Sequence, residues 1–291
     1  MRALAALLLA GCGATGDPGG PPVFRPASGS GPFRRAPAES LPGGSAAPFV
    51  LVDAADLDEP WLLADGERLS LWVTARRPGG PRIERADAPS LAQGFGPLQP
   101  ALDAASGPSI VPPAAPGELW LLFFSQGGSI GLATSADGRS WTRSGAAVPG
   151  AGPPAAVRLG DRVRVYFAED GALRAAEAPF ADPTAWRRLD AAPIPAGPLT
   201  RGLGRVFARA APTPAGRVRH DLYLSVQGDA VPLLRFAASY DGDSFALGEA
   251  PVLAPPAARG PAAAPYGAGV LLLFVARGPG GTDAIAAALS P

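Results

Sequence analysis

The chain contains no lysine and no asparagine, and only one cysteine, one histidine and one methionine. Every basic side chain is an arginine, and 25 of them cancel 25 aspartates and glutamates to a formal net charge of zero. That balance gives no reason to expect a nucleic acid or an acidic membrane surface as partner. A lone cysteine, Cys12, excludes an internal disulfide, a cysteine-based zinc site and any second cysteine nucleophile. A lone histidine, His220, is expected to lie exposed ahead of the run "DLYLSVQ". No apolar run brings it beside Ser244 of the short "GDS", so a Ser-His-Asp triad is not expected. No phosphate loop or dinucleotide fingerprint occurs, and the acidic pair Asp241/Asp243 lacks the ligand spacing of a calcium loop. No cofactor and no metal are expected. Helical spacing is missing from every segment longer than two turns. Glycine (38) and proline (36) are plentiful instead; with the abundant alanine and arginine they read as the coding bias of a GC-rich genome, so helix and strand propensities carry little weight.

The first residues, "MRALAALLLAGCG", place a positive Arg2 before an apolar stretch, Ala3–Ala10, too short to span a bilayer. The stretch ends in Leu9-Ala10-Gly11-Cys12. This order of charge, apolar run, small residues and cysteine resembles a bacterial lipoprotein signal, which implies removal of residues 1–11 and acylation of Cys12, with palmitate-type chains holding the protein to a membrane. Gly13 stands where many inner-membrane lipoproteins carry aspartate, so the outer membrane is the expected destination within the cell envelope. Residues 12–47 are rich in Gly, Pro, Ser and Ala without apolar periodicity, and read as a disordered tether. The folded domain is expected over residues 48–291.

That domain repeats. Five apolar runs, Leu69–Ala75, Leu119–Ser125, Val163–Glu169, Asp221–Gln227 and Val270–Ala276, recur at spacings of 44 to 58 residues. Each follows a proline-containing lead-in and precedes a second strand-like run across a polar turn. The period suits one four-stranded propeller blade per repeat. Runs that are apolar almost throughout suit strands covered on both faces. A β-sandwich would give short strands but not five ordered repeats. The fifth repeat lacks its last strand, and Phe49–Asp53 offers the missing piece. The expected fold is therefore all-β, a five-bladed β-propeller whose N-terminal strand closes the last blade and removes an open edge.

The turns "SADGRSW" (Ser135–Trp141) and "SYDGDSF" (Ser239–Phe245), the repeat number and the opening "DEPW" resemble the five-bladed arabinanase, levansucrase and invertase superfamily. The resemblance covers about residues 48–291. Strand direction alternates within a blade, so with first strands beginning at the upper face, their starts and the loops between second and third strands form the mouth. Both turns then fall on the opposite face and are structural: Asp137 would bond turn amides, Gly138 would permit the tight backbone and Trp141 would pack into the blade. Ser109, Arg76, Arg77, Gln126, Glu169, Asp170, Gln227, Asp229, Arg277 and Asp283 would surround the mouth. Elsewhere Arg187-Arg188 reads as solubilising charge.

Glycoside hydrolysis commonly uses two carboxylates about 5 to 10 Å apart. The resemblance implies acids at the starts of the first strands in blades one, three and four. Blade one offers Asp58 and Glu59. Blade three offers Pro153-Pro154, and blade four is expected to present Arg209. Glu59, Asp58 and Glu169 are the candidate catalytic carboxylates, and Glu59, Arg209, Gln126, Asp170, Gln227 and Asp229 the candidate ligand contacts. With two of three acids missing, the expected function is a membrane-anchored envelope lipoprotein whose propeller binds a glycan or an envelope protein without catalysis. The alternative is a glycoside hydrolase acting on envelope or extracellular polysaccharide.

Overall fold

A computed structural model describes residues 33–35, 50–52, 56–213, 215–253, 258–277 and 283–290. Five antiparallel sheets follow one another along the chain. Blade 1 holds Leu57–Asp65, Arg68–Arg77, Gly80–Ala88 and Gln99–Asp103. Blade 2 holds Ser106–Val111, Trp120–Gln126, Ser129–Ser135 and Thr142–Val148. Blade 3 holds Ala155–Leu159, Arg162–Glu169, Ala172–Pro179 and Arg187–Arg188. Blade 4 holds Val206–Pro212, Val218–Gln227, Pro232–Ser239 and Ala246–Leu247. Blade 5 is built from Arg259–Tyr266, Gly269–Arg277 and Asp283–Ser290, and N-terminal segments complete it. The protein is a five-bladed β-propeller.

Second strands explain why the runs are apolar rather than alternating. Leu71, Trp72 and Val73 are consecutive, point to opposite faces and are all fully buried, as are Leu271 to Phe274. Each blade is sandwiched between two others, so neither face of its middle strands meets water. Aromatic rings bridge the blades: Tyr166 meets Phe245 at 5.5 Å, and its hydroxyl donates to the Gly242 carbonyl at 3.0 Å.

Ring closure takes the expected form and adds to it. Val50–Val52 pairs antiparallel with Asp283–Ser290; Phe49 and Asp53 lie outside the described residues. Arg34 and Arg35 pair with the lower end of the same strand, opposite Leu289 and Ala288. Phe33 bridges to Leu253 of the preceding blade, donates its N–H to the Val252 carbonyl at 2.8 Å and is only 4% exposed. Three residues of the segment read as a tether are thus fixed to the propeller, because the Phe33 ring finds an interblade pocket beside Tyr223, at 6.1 Å between ring centroids. The rest of residues 12–47, Cys12 included, lies outside the described residues. No helix among the described residues is long and apolar enough to cross a membrane.

Candidate functional site

Inner strands run from the upper face to the lower, so their first residues surround the upper mouth. Aligning the five inner strands on their packing places Glu59-Pro60-Trp61 beside Gly107-Pro108-Ser109, Pro153-Pro154-Ala155, Arg205-Val206-Phe207 and Gly260-Pro261-Ala262. Glu59, Gly107, Pro153, Arg205 and Gly260 are therefore equivalent positions around the axis. In blades 1, 2 and 5 the strand register slips at this point. Its residue adopts a left-handed backbone, with φ of 49° at Glu59, 59° at Gly107 and 57° at Gly260. Proline follows each and withholds a ladder N–H, which favours the bulge. Two blades fill this position with glycine, for which positive φ costs little. Blade 1 places a glutamate there, at a backbone cost on the order of 1 kcal/mol.

Glu59 is half-buried and held in place. Its Oε2 accepts from Thr74 Oγ1 at 2.8 Å, and its backbone N–H donates to Asp58 Oδ1 at 2.8 Å. Thr74 is itself buried and accepts from the Gly107 N–H at 2.8 Å, so one hydroxyl links blade 1 to blade 2. Asp58 Oδ2 lies 3.3 Å from Arg76 Nη2 and 3.4 Å from Arg259 Nη2, and Arg259 also binds Asp283 at 2.7 Å. Blades 1 and 5 thus share an alternating set of charges at the mouth.

Arg205, not Arg209, occupies the blade 4 position. Its guanidinium is 5% exposed and spans the axis, donating from Nη1 to the Pro154 carbonyl at 3.0 Å and from Nη2 to the Pro108 carbonyl. Burial is the largest influence on it and lowers its pKa to about 10, against the opposing pull of Glu59 and Asp58. It therefore remains a cation at neutral pH. A Cβ on Gly107 would stand 3.2 Å from Arg205 Nη1 and 3.1 Å from Pro153 Cβ, so glycine there makes room for the guanidinium.

Arg209 was expected at the mouth, and the structure corrects this. Four residues further down the inner strand, it binds buried Asp221 through Nε at 3.1 Å and Nη2 at 2.9 Å, below the Trp61–Phe207 ring contact at 4.3 Å. The short motif "VFARAA" carries no register by itself. The aligned X-Pro pairs at residues 59–60, 107–108 and 260–261 carried the signal that would have found Arg205.

The hairpin residues are dispersed. Gln126 Oε1 is taken by Arg143, and Glu169 by Arg188, with Arg174 at 3.9 Å. Gln227 donates to the Gly228 carbonyl at 3.1 Å, while Asp170 and Asp229 are exposed at hairpin tips. Arg77 binds buried Glu84, and Ser109 is fully buried, accepting from the Ala156 N–H at 2.7 Å. Away from Glu59, which is not in its lining, a groove of about 510 Å³ runs over Ser106, Gln126, Gly127, Gly128, Gly152 and Pro153. It could seat a chain of hydroxyl-rich units against backbone groups. Among the described residues no three His, Asp or Glu side chains gather as a metal site.

His220 is not exposed before its strand. It lies within Val218–Gln227, is 8% exposed, and its Nδ1 has no hydrogen-bond partner. Burial, then the charge of Arg164, lowers its pKa.

No family model and no curated protein matches the sequence. Solved structures do match its shape. The catalytic domain of a GH62 α-L-arabinofuranosidase from Coprinopsis cinerea superposes with a TM-score of 0.62 at 12% identity, covering 88% of this chain and 96% of that one. An α-L-arabinofuranosidase from Podospora anserina, solved with cellotriose, gives 0.64 at 11% identity over 90% and 98%. A structure described as belonging to the GH130 family of mannoside phosphorylases, which contains hydrolases targeting β-1,2 mannosidic linkages in Candida mannan, gives 0.65 at 13% over 91% and 95%. The likeness is one of fold.

Proposed function

We propose that this chain is a glycan-directed propeller of the glycoside hydrolase type, with Glu59 as the carboxylate that meets the sugar at the upper mouth. The observation that carries the reading is the strained Glu59 backbone, at a position where blades 2 and 5 use glycine. Strain of this kind gathers at working sites, and the Thr74 hydroxyl holds the carboxylate in place at the mouth. The glycosidase neighbours support hydrolysis over the non-catalytic role expected from the sequence. Asp58, one residue away, is the second carboxylate at the mouth.

The second reading, binding without turnover, is favoured by Pro153 and Arg205, which stand where blades 3 and 4 would otherwise supply acids. The two readings separate on one experiment. The full chain and its Glu59→Gln variant are assayed for turnover of aryl glycosides and for retention on a glycan array. Turnover that falls about 10²–10⁴-fold in the variant is the expected result. Turnover undiminished in the variant overturns the role of Glu59. Retention without turnover establishes the second reading, and silence in both assays overturns both.

We also propose, on the N-terminal sequence alone, that Cys12 is acylated and holds the protein in a bacterial envelope, in the outer membrane. Radiolabelled palmitate should enter the wild-type chain and not Cys12→Ser; equal labelling would refute the anchor.

A further inference from the structure

The turns "SADGRSW" and "SYDGDSF" rest on different rings. In blade 2, Trp120 pairs with Ser135 and its ring lies against the turn glycine, where a Cβ on Gly138 would stand 3.0 Å from it. In blade 4 the equivalent pair is His220 with Ser239, and a Cβ on Gly242 would stand 3.7 Å from the imidazole Cδ2. One ring stays neutral, and the other can take a proton. A neighbouring blade touches each turn. Arg85 of blade 1 donates to the Gly138 carbonyl at 2.5 Å. Tyr166 of blade 3 donates to the Gly242 carbonyl at 3.0 Å, and Arg164 Nη1 binds Asp243 at 2.6 Å. The same Cβ on Gly242 would stand 3.1 Å from Arg164 Nη1, so imidazole and guanidinium flank one glycine.

A proton on His220 would be poorly received. The imidazole is buried, and its Nδ1 has no hydrogen-bond partner among the described residues. The acids around it are already engaged. Asp243 holds Arg164, Asp241 accepts from the Ser239 hydroxyl and from the Asp243 and Ser244 N–H groups, and Asp221 binds Arg209 and Arg219. The first strand places Ala210 opposite His220. Burial is the largest influence keeping the imidazole neutral, and the charge of Arg164 adds to it, against the pull of the three aspartates. We infer that the joint between blades 3 and 4 is an acid-sensitive switch: a proton on His220 sets a second cation beside Arg164 and parts the Gly242 turn from Tyr166. The joint lies at the lower ends of the two blades that Arg205 and the Pro154 carbonyl tie together at the mouth.

Because the folded chain holds His220 neutral below the ordinary histidine value of 6.5, its contribution to stability is complete above 6.5 and is lost as pH falls below it. Histidine is the one side-chain type that ordinarily changes charge between about pH 5 and 8, and the chain has a single one. The full chain and its His220→Phe variant, which keeps a ring against Gly242 but takes no proton, are unfolded in urea across that range. The wild-type folding constant should fall below pH 6.5 by up to about tenfold per pH unit, the limit for one proton, while the variant stays level. Amide exchange locates the effect. Protection of Gly242 and Ser244 should fall with pH, while that of Gly138 and Ser140, in the turn over Trp120, holds. A level wild type, parallel slopes, or equal loss of protection in both turns overturns the switch. If His220→Phe fails to fold, the imidazole NMR signal of the wild type decides, since one histidine gives one such signal: titration at or above pH 6.5 in the folded chain refutes the switch.

Discussion

At the scale of single residues, the mouth is defined by which side chain fills one repeated position. Gly107 and Gly260 take a left-handed backbone easily, whereas Glu59 takes it at a cost. This separates function from stability. Glu59→Gly should leave the unfolding free energy unchanged or raise it by up to about 1 kcal/mol, while glycoside turnover disappears. Chemical denaturation and an activity assay on one preparation suffice. A clear loss of stability would mean that the Thr74 hydrogen bond, not catalysis, keeps glutamate there. Asp58 and Glu59 were legible as candidates because "DEP" opens a repeat. Their strain was not legible, since a backbone dihedral follows from the bulge that register and packing impose.

At the scale of elements, charged side chains do structural work that composition conceals. Arg187, read as a solubilising charge, binds Glu177 at 2.6 Å, and Arg164 reaches the same buried carboxylate at 2.8 Å. The turns "SADGRSW" and "SYDGDSF" have one geometry. Ser135 accepts from the Gly138 N–H at 2.9 Å while Asp137 Oδ1 accepts from Arg139 and Ser140, and Ser239 and Asp241 repeat the pattern. Both stand on the lower face, away from Glu59. There too Glu118 ties the blade 2 hairpin to blade 3, accepting from Arg158 and from the Ala114 and Ala115 N–H groups. Those bonds, with Arg158 first, lower its pKa from 4.5 to about 2. A lowered folded-state value means that its contribution is complete above the ordinary carboxylate pKa and is lost as pH falls from about 4.5 towards 2. Urea midpoints of the wild type should therefore drop more steeply across that window than those of Glu118→Gln. Parallel slopes would show that the ion pair adds nothing.

For the whole molecule, closure is a two-part latch. Val50–Val52 and Arg34–Arg35 both add to the last strand, and Phe33 locks the second addition into the interface between blades 4 and 5. Phe33→Ala removes a nearly fully buried ring and should cost about 3 kcal/mol, read as a lowered urea midpoint with the transition still cooperative. Because blade 5 is held by chain segments from both termini, its loosening should open the ring as a unit. An unchanged midpoint would show that the Val50–Val52 strand closes the propeller alone.

The sequence by itself determined the blade count, the strand order and the closing strand, because each is written in local signals. A strand buried on both faces must be apolar throughout, and a tight turn must carry its glycine and aspartate. It also brought Glu59 and Asp58 forward. The tertiary structure alone decided that Arg205 rather than Arg209 stands at the mouth, that Phe33 belongs to the fold and that His220 is buried. Those outcomes depend on the register of one strand against another and on groups from all five blades meeting at one axis. A shift of four residues along a strand changes neither composition nor periodicity, yet it carries a guanidinium from one face of the molecule towards the other.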